Sequence, residues 1–393
     1  MRGFPSLLLL LLLPLFLLRG YPPPAEAATV AEKEILLQFK SAVSQDPLGR
    51  LSSWTSSPTS DPCRHFAGVT CGASGDIEKI LFHGAGLVGT LPPALSGLPS
   101  LQILSLVDNR FSGGIPPQYA GIATLHKLNL SRNALSGAVP GFLGDLPSLR
   151  LLDLSGNSFS GVIPPALFRR CFRLRFVSLA RNNLSGAIPN SIGNCAGLEG
   201  FDFSFNGLSG GLPEEICRPP GMAFVSLTNN SLSGTVADKV SSCRSLEFLH
   251  LGSNLFDGSP PFDLLALTNL TYFNSSFNNF RGDFPAIGTC GEKLAYLDVS
   301  GNGLTGAIGP GIAKCRGLRS LSLESNRLGG SIPPEIGDLS SLSVLRLGNN
   351  EIRGRIPPEV GKMEFLMYLD LHNLQLSGEV PSTITNCRFL LQL

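Results

Sequence analysis

The sequence predicts a solenoid, in which one short coil is repeated side by side along the chain. Three observations predict this fold. An asparagine recurs at intervals of 24 residues from Asn109 to Asn350, with a single step of 25 between Asn157 and Asn182. A glycine stands four residues after this position in thirteen successive coils, and leucines alternate before it. A period of this length is typical of repeat proteins, which add coils rather than domains as they lengthen.

The first element is a secretory signal peptide, which we predict over residues 1–27. Arg2 gives a positive start, Leu7–Leu18 is an apolar core broken by one proline, and Ala25–Ala27 fits the small-x-small cleavage rule. The alternative is a membrane span, but the apolar core falls short of the roughly 18 residues that a span needs. Later stretches are shorter still, so the sequence predicts no membrane span in this chain.

Each coil follows the frame LxxLxLxxNxLxGxIP, which we assign to residues 77–393. Alternating leucines point one side of a short strand into a core. The asparagine amide satisfies backbone groups at the turn, the glycine permits a conformation that a Cβ forbids, and the proline stiffens the return. Ala85 and Leu374 replace the asparagine in the first and thirteenth repeats. We number the repeats by this asparagine position, hereafter the ladder position.

This pattern resembles the plant extracellular subtype of leucine-rich repeats. The resemblance implies an α/β solenoid, a right-handed superhelix of about thirteen plant-type 24-residue repeats. Residues 28–76 resemble the N-terminal cap of that family, with a helix that places Leu36 and Phe39 on one face. The resemblance also implies a disulfide between Cys63 and Cys71, so the predicted cap is helical and disulfide-bonded.

Seven further cysteines recur near one phase of the coil, eleven to fourteen residues after the ladder position. They are Cys171, Cys195, Cys217, Cys243, Cys290, Cys315 and Cys387. We interpret them as small buried apolar residues on the outer turns. Disulfides between coils and a metal site are the alternatives.

The last eight residues, Asn386–Leu393, begin a fourteenth repeat. Leu390 and Leu393 fit the first two leucines of the frame. We interpret the chain as a product truncated before a membrane span and a kinase, or as an incomplete gene prediction. On that interpretation the last complete coil exposes an apolar edge that favours aggregation.

Several classes of function are disfavoured. The net charge of +1 argues against a nucleic-acid partner. Gly84–Gly89 matches GxGxxG, but a dinucleotide site needs a helix to open there, and the repeat continues instead. The five histidines show neither metal-ligand spacing nor a nucleophile partner, and we interpret them as solvated surface. We therefore predict no catalytic residue, no metal and no cofactor.

The inner face of the strands carries the candidate binding residues. Aromatic residues recur six residues before the ladder position: Phe176, Phe224, Phe248, Tyr272, Tyr296 and Tyr368. They either form a stacked strip that grips a peptide or pack at the edge of the sheet. Phe205 and Phe277 lie directly before the ladder position, where a large apolar group serves no core. We interpret these two as contacts with a partner.

Five glycosylation sequons accompany the predicted signal peptide: Asn129, Asn183, Asn229, Asn269 and Asn274. Glycans there would cover part of the inner face from repeat three to repeat nine and leave repeats ten to thirteen clear. With the two phenylalanines included, our hypothesis for the binding residues is Phe205, Phe277, Tyr296, Asp298, Glu324, Arg346, Tyr368 and Asp370.

The chain resembles the extracellular region of a plant leucine-rich repeat receptor-like kinase. That resemblance implies an extracellular or cell-surface protein that binds a peptide, a small hormone or a co-receptor ectodomain, and full-length relatives that are anchored in the membrane. One alternative is an apoplastic inhibitor of wall-degrading enzymes, similar to the polygalacturonase-inhibiting proteins. The other alternative is a non-functional truncated product.

Overall fold

The computed structural model describes residues 28–392. The predicted signal peptide at residues 1–27 and the final Leu393 lie outside the described residues. Within residues 28–392 the chain forms an N-terminal cap followed by a continuous stack of coils. The helices of this part of the chain are all too short or too polar to cross a membrane.

The cap begins with the helix Val30–Ala42. A capping box starts it, because the Thr29 hydroxyl accepts the backbone N–H of Glu32 while the Glu32 carboxylate accepts the backbone N–H of Thr29. The second carboxylate oxygen of Glu32 accepts the backbone N–H of Ile77 at 3.1 Å. One buried side chain therefore starts the helix and ties it to the first strand of the solenoid.

Aromatic rings fill the interior of the cap. Trp54 stacks on Phe66 with ring centroids 5.3 Å apart, and the ring of Phe39 lies 5.7 Å from that of Trp54. The Trp54 indole N–H donates to a backbone carbonyl at 2.9 Å, so its polar end is satisfied. A disulfide joins Cys63 and Cys71. The helical, disulfide-bonded cap is confirmed.

Each repeat contributes one strand to a parallel sheet on the inner face. These strands are Ile77–Leu81, Ile103–Ser105, Lys127–Asn129, Leu151–Asp153, Phe176–Ser178, Gly200–Asp202, Phe224–Ser226, Phe248–His250, Tyr272–Asn274, Tyr296–Asp298, Ser320–Ser322, Val344–Arg346 and Tyr368–Asp370. The cap strand Val69–Cys71 pairs antiparallel with the first of them. Equivalent residues of neighbouring repeats stand side by side, about 4.8 Å apart, and so form rows along the face.

A second set of strands starts at or just after the ladder position. They are Val88–Thr90, Arg110–Gly113, Ala134–Ala138, Ser158–Val162, Asn183–Gly186, Gly207–Gly210, Ser231–Thr235, Leu255–Asp257, Arg281–Asp283, Gly303–Thr305, Arg353–Gly354 and Gln375–Leu376. The cap strand Val43–Gln45 pairs antiparallel with the first, and the others pair in parallel. The cap thus closes both sheets at their N-terminal edge.

Short helices form the outer side of the solenoid. The 3-10 helices are Pro93–Gly97, Pro117–Gly121, Gly141–Asp145, Pro165–Phe168, Asn190–Asn194, Phe262–Ala266, Pro310–Lys314, Pro334–Asp338, Pro358–Lys362 and Ser382–Asn386, and the short α-helices are Pro62–His65 and Ala237–Val240. The frame proline stands directly before nine of these 3-10 helices in the described chain. Its fixed φ suits a helix start, where its missing N–H has no partner to lose.

The ladder asparagines link each coil to the one before it. The Asn254 side-chain oxygen accepts the backbone N–H of Leu232 at 3.0 Å. Its amide nitrogen donates to the carbonyls of Leu227 and Leu251 at 2.9 and 3.0 Å. The same bonds recur at the other ladder asparagines. Because each buried group left unmet would cost about 1–3 kcal/mol, this ladder explains the asparagine period.

The frame glycine is required for two different reasons. In repeats two to thirteen it adopts a left-handed φ, for example +79° at Gly113, which L side chains rarely adopt. In repeat one the constraint is space, because a Cβ on Gly89 would lie 2.3 Å from the carbonyl oxygen of Ala42. The predicted role of this glycine is therefore confirmed.

The structure corrects the interpretation of the outer cysteines. Six of them form three disulfides, which are Cys171–Cys195, Cys217–Cys243 and Cys290–Cys315. Equivalent outer turns of neighbouring coils lie side by side, and the paired Cα atoms are 5.0, 4.9 and 5.0 Å apart, within the range a disulfide spans. The interpretation as separate buried thiols was wrong for these six. Among the described residues only Cys387 is a free, buried cysteine.

Candidate ligand-binding surface

Four aromatic rings on the inner face stack on one another. The centroid distances are 4.5 Å from Phe224 to Phe248, 4.3 Å from Phe248 to Tyr272 and 4.4 Å from Tyr272 to Tyr296, with the rings within 12° of parallel. Their faces are therefore covered by their neighbours, and only their edges face outward. The stacked strip is therefore present, and its contact with a peptide stays a prediction. Tyr368 stands three repeats beyond this stack.

Asp298 lies beside the stack as a buried acceptor. Its Oδ1 accepts the backbone N–H and the hydroxyl of Ser300 at 2.9 and 2.6 Å. Its Oδ2 accepts the Tyr296 hydroxyl at 3.2 Å and the Asn274 amide at 3.3 Å. Burial, followed by the Asp298 charge, raises the pKa of Tyr296, which keeps that hydroxyl protonated and donating. Asp298 thus organises the inner face rather than presenting a free carboxylate.

His250 lies in the same row as Asn274 and Asp298, on the strand two repeats before Asp298, and is half-buried. Its ring lies 6.2 Å from that of Phe248 and 5.6 Å from that of Tyr272, in edge contacts. Burial lowers the pKa of His250, and the charges of Asp298 and Asp202 oppose this shift only in part. This histidine is half-buried rather than fully solvated, because the edges of these two rings cover part of it.

The structure brings three hypothetical binding residues together in repeats twelve and thirteen. The Arg346 guanidinium lies 4.9 Å from the ring centroid of Tyr368. Asp370, on the same strand as Tyr368, accepts hydrogen bonds from the ring and the backbone N–H of His372. Burial alone would raise the pKa of Asp370, but these hydrogen bonds and the Arg346 charge lower it overall. A cation, an anion and an aromatic ring thus share one surface.

An open cavity of about 580 Å³ touches Tyr368, Asp370 and His372, but it is lined mainly by frame residues of the last complete coil, such as Leu369 and Leu376, and so lies at the end of the coil stack rather than on the inner face. One repeat before Arg346 in the same row stands Ser322, whose hydroxyl is buried and has no hydrogen-bond partner among the described residues. Glu324 lies two residues after Ser322, just beyond the end of the strand, and is half-buried. Sequence reasoning missed Ser322, because its isolation depends on which neighbours face it.

Phe205 and Phe277 lie in a row of left-handed turns. The residue before the ladder position has a positive φ in every repeat; we call this the turn row, and its members other than glycine are Asp108, Arg132, Arg181, Phe205, Asn229, Ser253, Phe277, Ser325, Asn349 and Asn373. The φ values of Phe205 and Phe277 are 54° and 52°. This conformation costs roughly 1–2 kcal/mol for an L residue. Both rings are also exposed, by 39% and 59%.

Neighbouring side chains of the turn row touch one another. The Arg181 guanidinium lies 4.0 Å from the ring centroid of Phe205, and the Asn373 amide donates to Asn349 Oδ1 at 2.9 Å. Phe205 and Phe277 are three repeats apart and do not meet. The eight hypothetical binding residues therefore fall into separate groups rather than one pocket.

The sequons differ in accessibility. The Asn274 side chain is buried, with its amide on Asp298 and its oxygen accepting the backbone N–H and hydroxyl of Ser276. A glycan on that amide is incompatible with this arrangement. The remaining sequons are exposed or half-buried: Asn129, Asn183, Asn229 and Asn269.

Known sequence families match both parts of this architecture. The leucine rich repeat N-terminal domain family matches residues 31–72, over the cap. The Leucine Rich Repeat family matches seven segments of the solenoid: 100–121, 124–146, 148–169, 173–195, 317–339, 341–363 and 365–387. The chain belongs to the leucine-rich repeat family. The inner sheet, the asparagine ladder and the cap described above are thus those of a leucine-rich repeat solenoid.

Similar curated leucine-rich repeat proteins are receptor-like kinases of Arabidopsis thaliana. The chain is 41% identical over 83 residues to the leucine-rich repeat receptor-like serine/threonine-protein kinase SKM1, covering 21% of this chain and 8% of that protein. It is 37% identical over 87 residues to MDIS1-interacting receptor like kinase 1, covering 22% and 8%. The matched region is a small part of these relatives.

Solved plant receptors share the fold over most of this leucine-rich repeat chain. The PEPR1–AtPEP1 crystal structure has a TM-score of 0.80 at 30% identity, covering 92% of this chain and 54% of that one. The plant peptide hormone receptor RGFR1 in complex with RGF2 has a TM-score of 0.77 at 30% identity, covering 83% and 55%. The LRR ectodomain of GASSHO1/SCHENGEN3 from Arabidopsis thaliana has a TM-score of 0.74 at 27% identity, covering 92% and 49%. The chain spans about half the length of these structures.

Proposed function

We propose that this chain is an extracellular ligand-binding part of a plant receptor-like kinase. In this proposal a peptide, a small hormone or a co-receptor ectodomain contacts the inner face of repeats ten to thirteen. The observation that carries it is the cluster of Arg346, Tyr368 and Asp370, which places both charges and an aromatic ring on one surface. Its role is recognition rather than catalysis.

Solved structures of similar receptors and the chemistry of the inner face support a peptide as the ligand. RGFR1 was solved with RGF2, and GASSHO1/SCHENGEN3 was solved with CASPARIAN STRIP INTEGRITY FACTOR 2. A peptide offers charged ends and side chains, which Arg346 and Asp370 would pair with. The stacked coils are pre-formed, so that little ordering free energy opposes binding.

The four disulfides support an extracellular location. Disulfides form and persist in the secretory pathway and outside the cell, and they are rare in the cytosol. The similar receptor kinases fit the same location. Signalling in this proposal belongs to other parts of a longer protein.

Binding measurements on the secreted chain test the proposal. The chain is immobilised and exposed to a panel of synthetic plant peptide hormones that includes AtPEP1 and RGF2, and affinity is read by biolayer interferometry. We expect at least one peptide to bind. Arg346→Ala and Asp370→Ala should each weaken that binding at least tenfold, equivalent to about 1.4 kcal/mol.

A matched control separates local contact from general charge. Arg316 is exposed on the outer side of repeat ten, directly after a disulfide cysteine. Arg316→Ala removes the same charge away from the inner face and should leave affinity unchanged. If the peptide binds the Arg346→Ala and Asp370→Ala variants with the same affinity as the unmodified chain, the proposed binding surface is wrong.

A further inference from the structure

Asn229 is a sequon residue that also belongs to the turn row. Its side chain is exposed, and its amide makes only a 3.4 Å contact with the hydroxyl of Thr228 among the described residues. This contrasts with Asn274, whose amide is held by Asp298 inside the sheet. Asn229 therefore has an amide that is free to carry a glycan in the folded protein.

Phe205 occupies the equivalent turn-row position in the preceding repeat. The two turns are joined through the backbone, because the Phe205 N–H donates to the carbonyl of Thr228 at 2.8 Å. One face of the Phe205 ring carries the Arg181 guanidinium, on the side of repeat five. The opposite face is thus directed toward repeat seven, where Asn229 stands.

Adjacent side chains of this row touch in several repeats. Asp108 and Arg132 form an ion pair at 3.2 Å. Asn373 and Asn349 are hydrogen-bonded at 2.9 Å. A group attached to the Asn229 amide would extend from the same row and reach the free face of Phe205.

We propose that Asn229 is N-glycosylated and that the first N-acetylglucosamine packs on the exposed face of Phe205. The apolar face of a pyranose ring covers an aromatic ring as another hydrocarbon surface would, which removes apolar area from water. The ring of Phe205 is then held between a guanidinium and a sugar. This gives a reason for a phenylalanine to stand in a strained, exposed turn.

Phe277 provides a natural control. It is also in the turn row, with a left-handed φ and greater exposure. Its row neighbours are Ser253 and Gly301, neither of which carries a sequon, and a Cβ on Gly301 would lie 2.6 Å from the Phe277 ring. Phe277 therefore has no glycan of its own chain beside it and remains the candidate for contact with an external partner.

The test uses the chain secreted from mammalian cells behind a host signal peptide. Glycopeptide mass spectrometry measures occupancy at Asn229, and a time course with peptide N-glycosidase measures how fast that glycan leaves the folded protein. We expect Asn229 to be occupied. Phe205→Ser should speed the release several-fold, because the first sugar loses its cover, and Phe277→Ser should leave the rate unchanged. Serine stands in the turn row at Ser253 and Ser325, so both variants are compatible with the fold.

Thermal unfolding supplies an independent readout. Phe205→Ser should lower the melting temperature of the glycosylated protein by roughly 2 °C. The same change in an Asn229→Gln background should have little effect. The proposal is overturned if Asn229 is unmodified in the secreted protein. It is also overturned if Phe205→Ser alters neither the release rate nor the melting temperature, or shifts the melting temperature equally in both backgrounds.

Discussion

The Tyr296 hydroxyl donates a hydrogen bond to Asp298 Oδ2 at 3.2 Å, two residues along the same strand. The Tyr296 ring ends the aromatic stack, and the Asp298 carboxylate collects three further hydrogen bonds from two other side chains and one backbone group. The apolar and polar parts of the inner face are therefore one connected unit.

Removing the Asp298 carboxylate should destabilise the fold. Asp298→Ala leaves the donors of Asn274, Tyr296 and Ser300 without their acceptor, which we expect to lower the free energy of unfolding by about 2–3 kcal/mol. Tyr296→Phe removes one neutral donor and keeps the stack, so about 1 kcal/mol or less is expected. Urea denaturation measures both. Equal stability of the two variants would show that the carboxylate is not the centre of this network.

Protonation of His250 should make the folded protein less stable at acidic pH. Its folded pKa is lowered by burial, so the unfolded chain binds this proton more readily than the folded chain does. The neutral His250 ring makes its full contribution to stability above the pKa of histidine in the unfolded chain, about 6.5. That contribution is lost as the pH falls through the lower pKa of the folded state. We expect His250→Asn to flatten the decline in unfolding free energy between pH 7.5 and about 5. The control is His126→Asn, because the His126 ring makes no hydrogen bond or ring contact among the described residues, and both variants are measured by denaturant titration at each pH.

The free thiol content should be one per chain. The sequence has nine cysteines and eight lie in disulfides, which leaves 9 − 8 = 1, namely Cys387. Because Cys387 is buried, a thiol reagent should react slowly with the native protein. After denaturation without reductant, each chain should consume one equivalent of the reagent. Cys387→Ser should abolish the reaction. A count of three or more would mean that an outer disulfide is open.

Loss of an outer disulfide should lower stability without changing the fold. The pair Cys217–Cys243 closes a segment with a sequence separation of 26, for which chain entropy gives about 3 kcal/mol. The double variant Cys217→Ala and Cys243→Ala should lose roughly that free energy of unfolding, with an unchanged circular dichroism spectrum. Cys387→Ala, which removes a free thiol from the equivalent outer turn of repeat thirteen, is the control.

The contribution of the asparagine ladder to stability can be measured by comparing two adjacent asparagines, Asn278 and Asn279. Asn278 accepts the Phe256 N–H at 3.0 Å and donates to the Leu251 and Ser275 carbonyls, whereas Asn279 is exposed. Asn278→Ala is expected to cost about 1–3 kcal/mol. Asn279→Ala should stay within about 0.5 kcal/mol. Thermal or urea unfolding of the two variants compares them, and similar losses would contradict the ladder.

The fold was predictable because its causes are local and repeated. Leucine alternation, the ladder asparagine and the frame glycine each act within one coil or between adjacent coils, so the 24-residue period carries them all. The outer disulfides had a signal too, since Cys171 and Cys195 are one repeat apart and equivalent turns are adjacent. The interpretation as buried thiols did not take into account that equivalent outer turns lie next to each other.

The candidate site was less predictable because it depends on contacts across repeats. Position alone placed Asp298 and Asn274 on the inner face, but not that they would bond to each other and become buried. The isolation of the Ser322 hydroxyl and the covering of Phe205 by Arg181 likewise arise from neighbours 24 residues away. Rows of equivalent positions, written out repeat by repeat, would have shown these pairs.

The outer disulfides join coils in only part of the solenoid. The last outer bridge ends at Cys315, in repeat ten, so repeats eleven to thirteen are held to the rest by hydrogen bonds and apolar packing alone within the described chain. On heating, these coils should open before the bridged coils, because no disulfide holds them to their neighbours. A ligand bound across repeats ten to thirteen would add non-covalent contacts between coils that no disulfide joins, so ligand occupancy and the thermal stability of these coils would rise together.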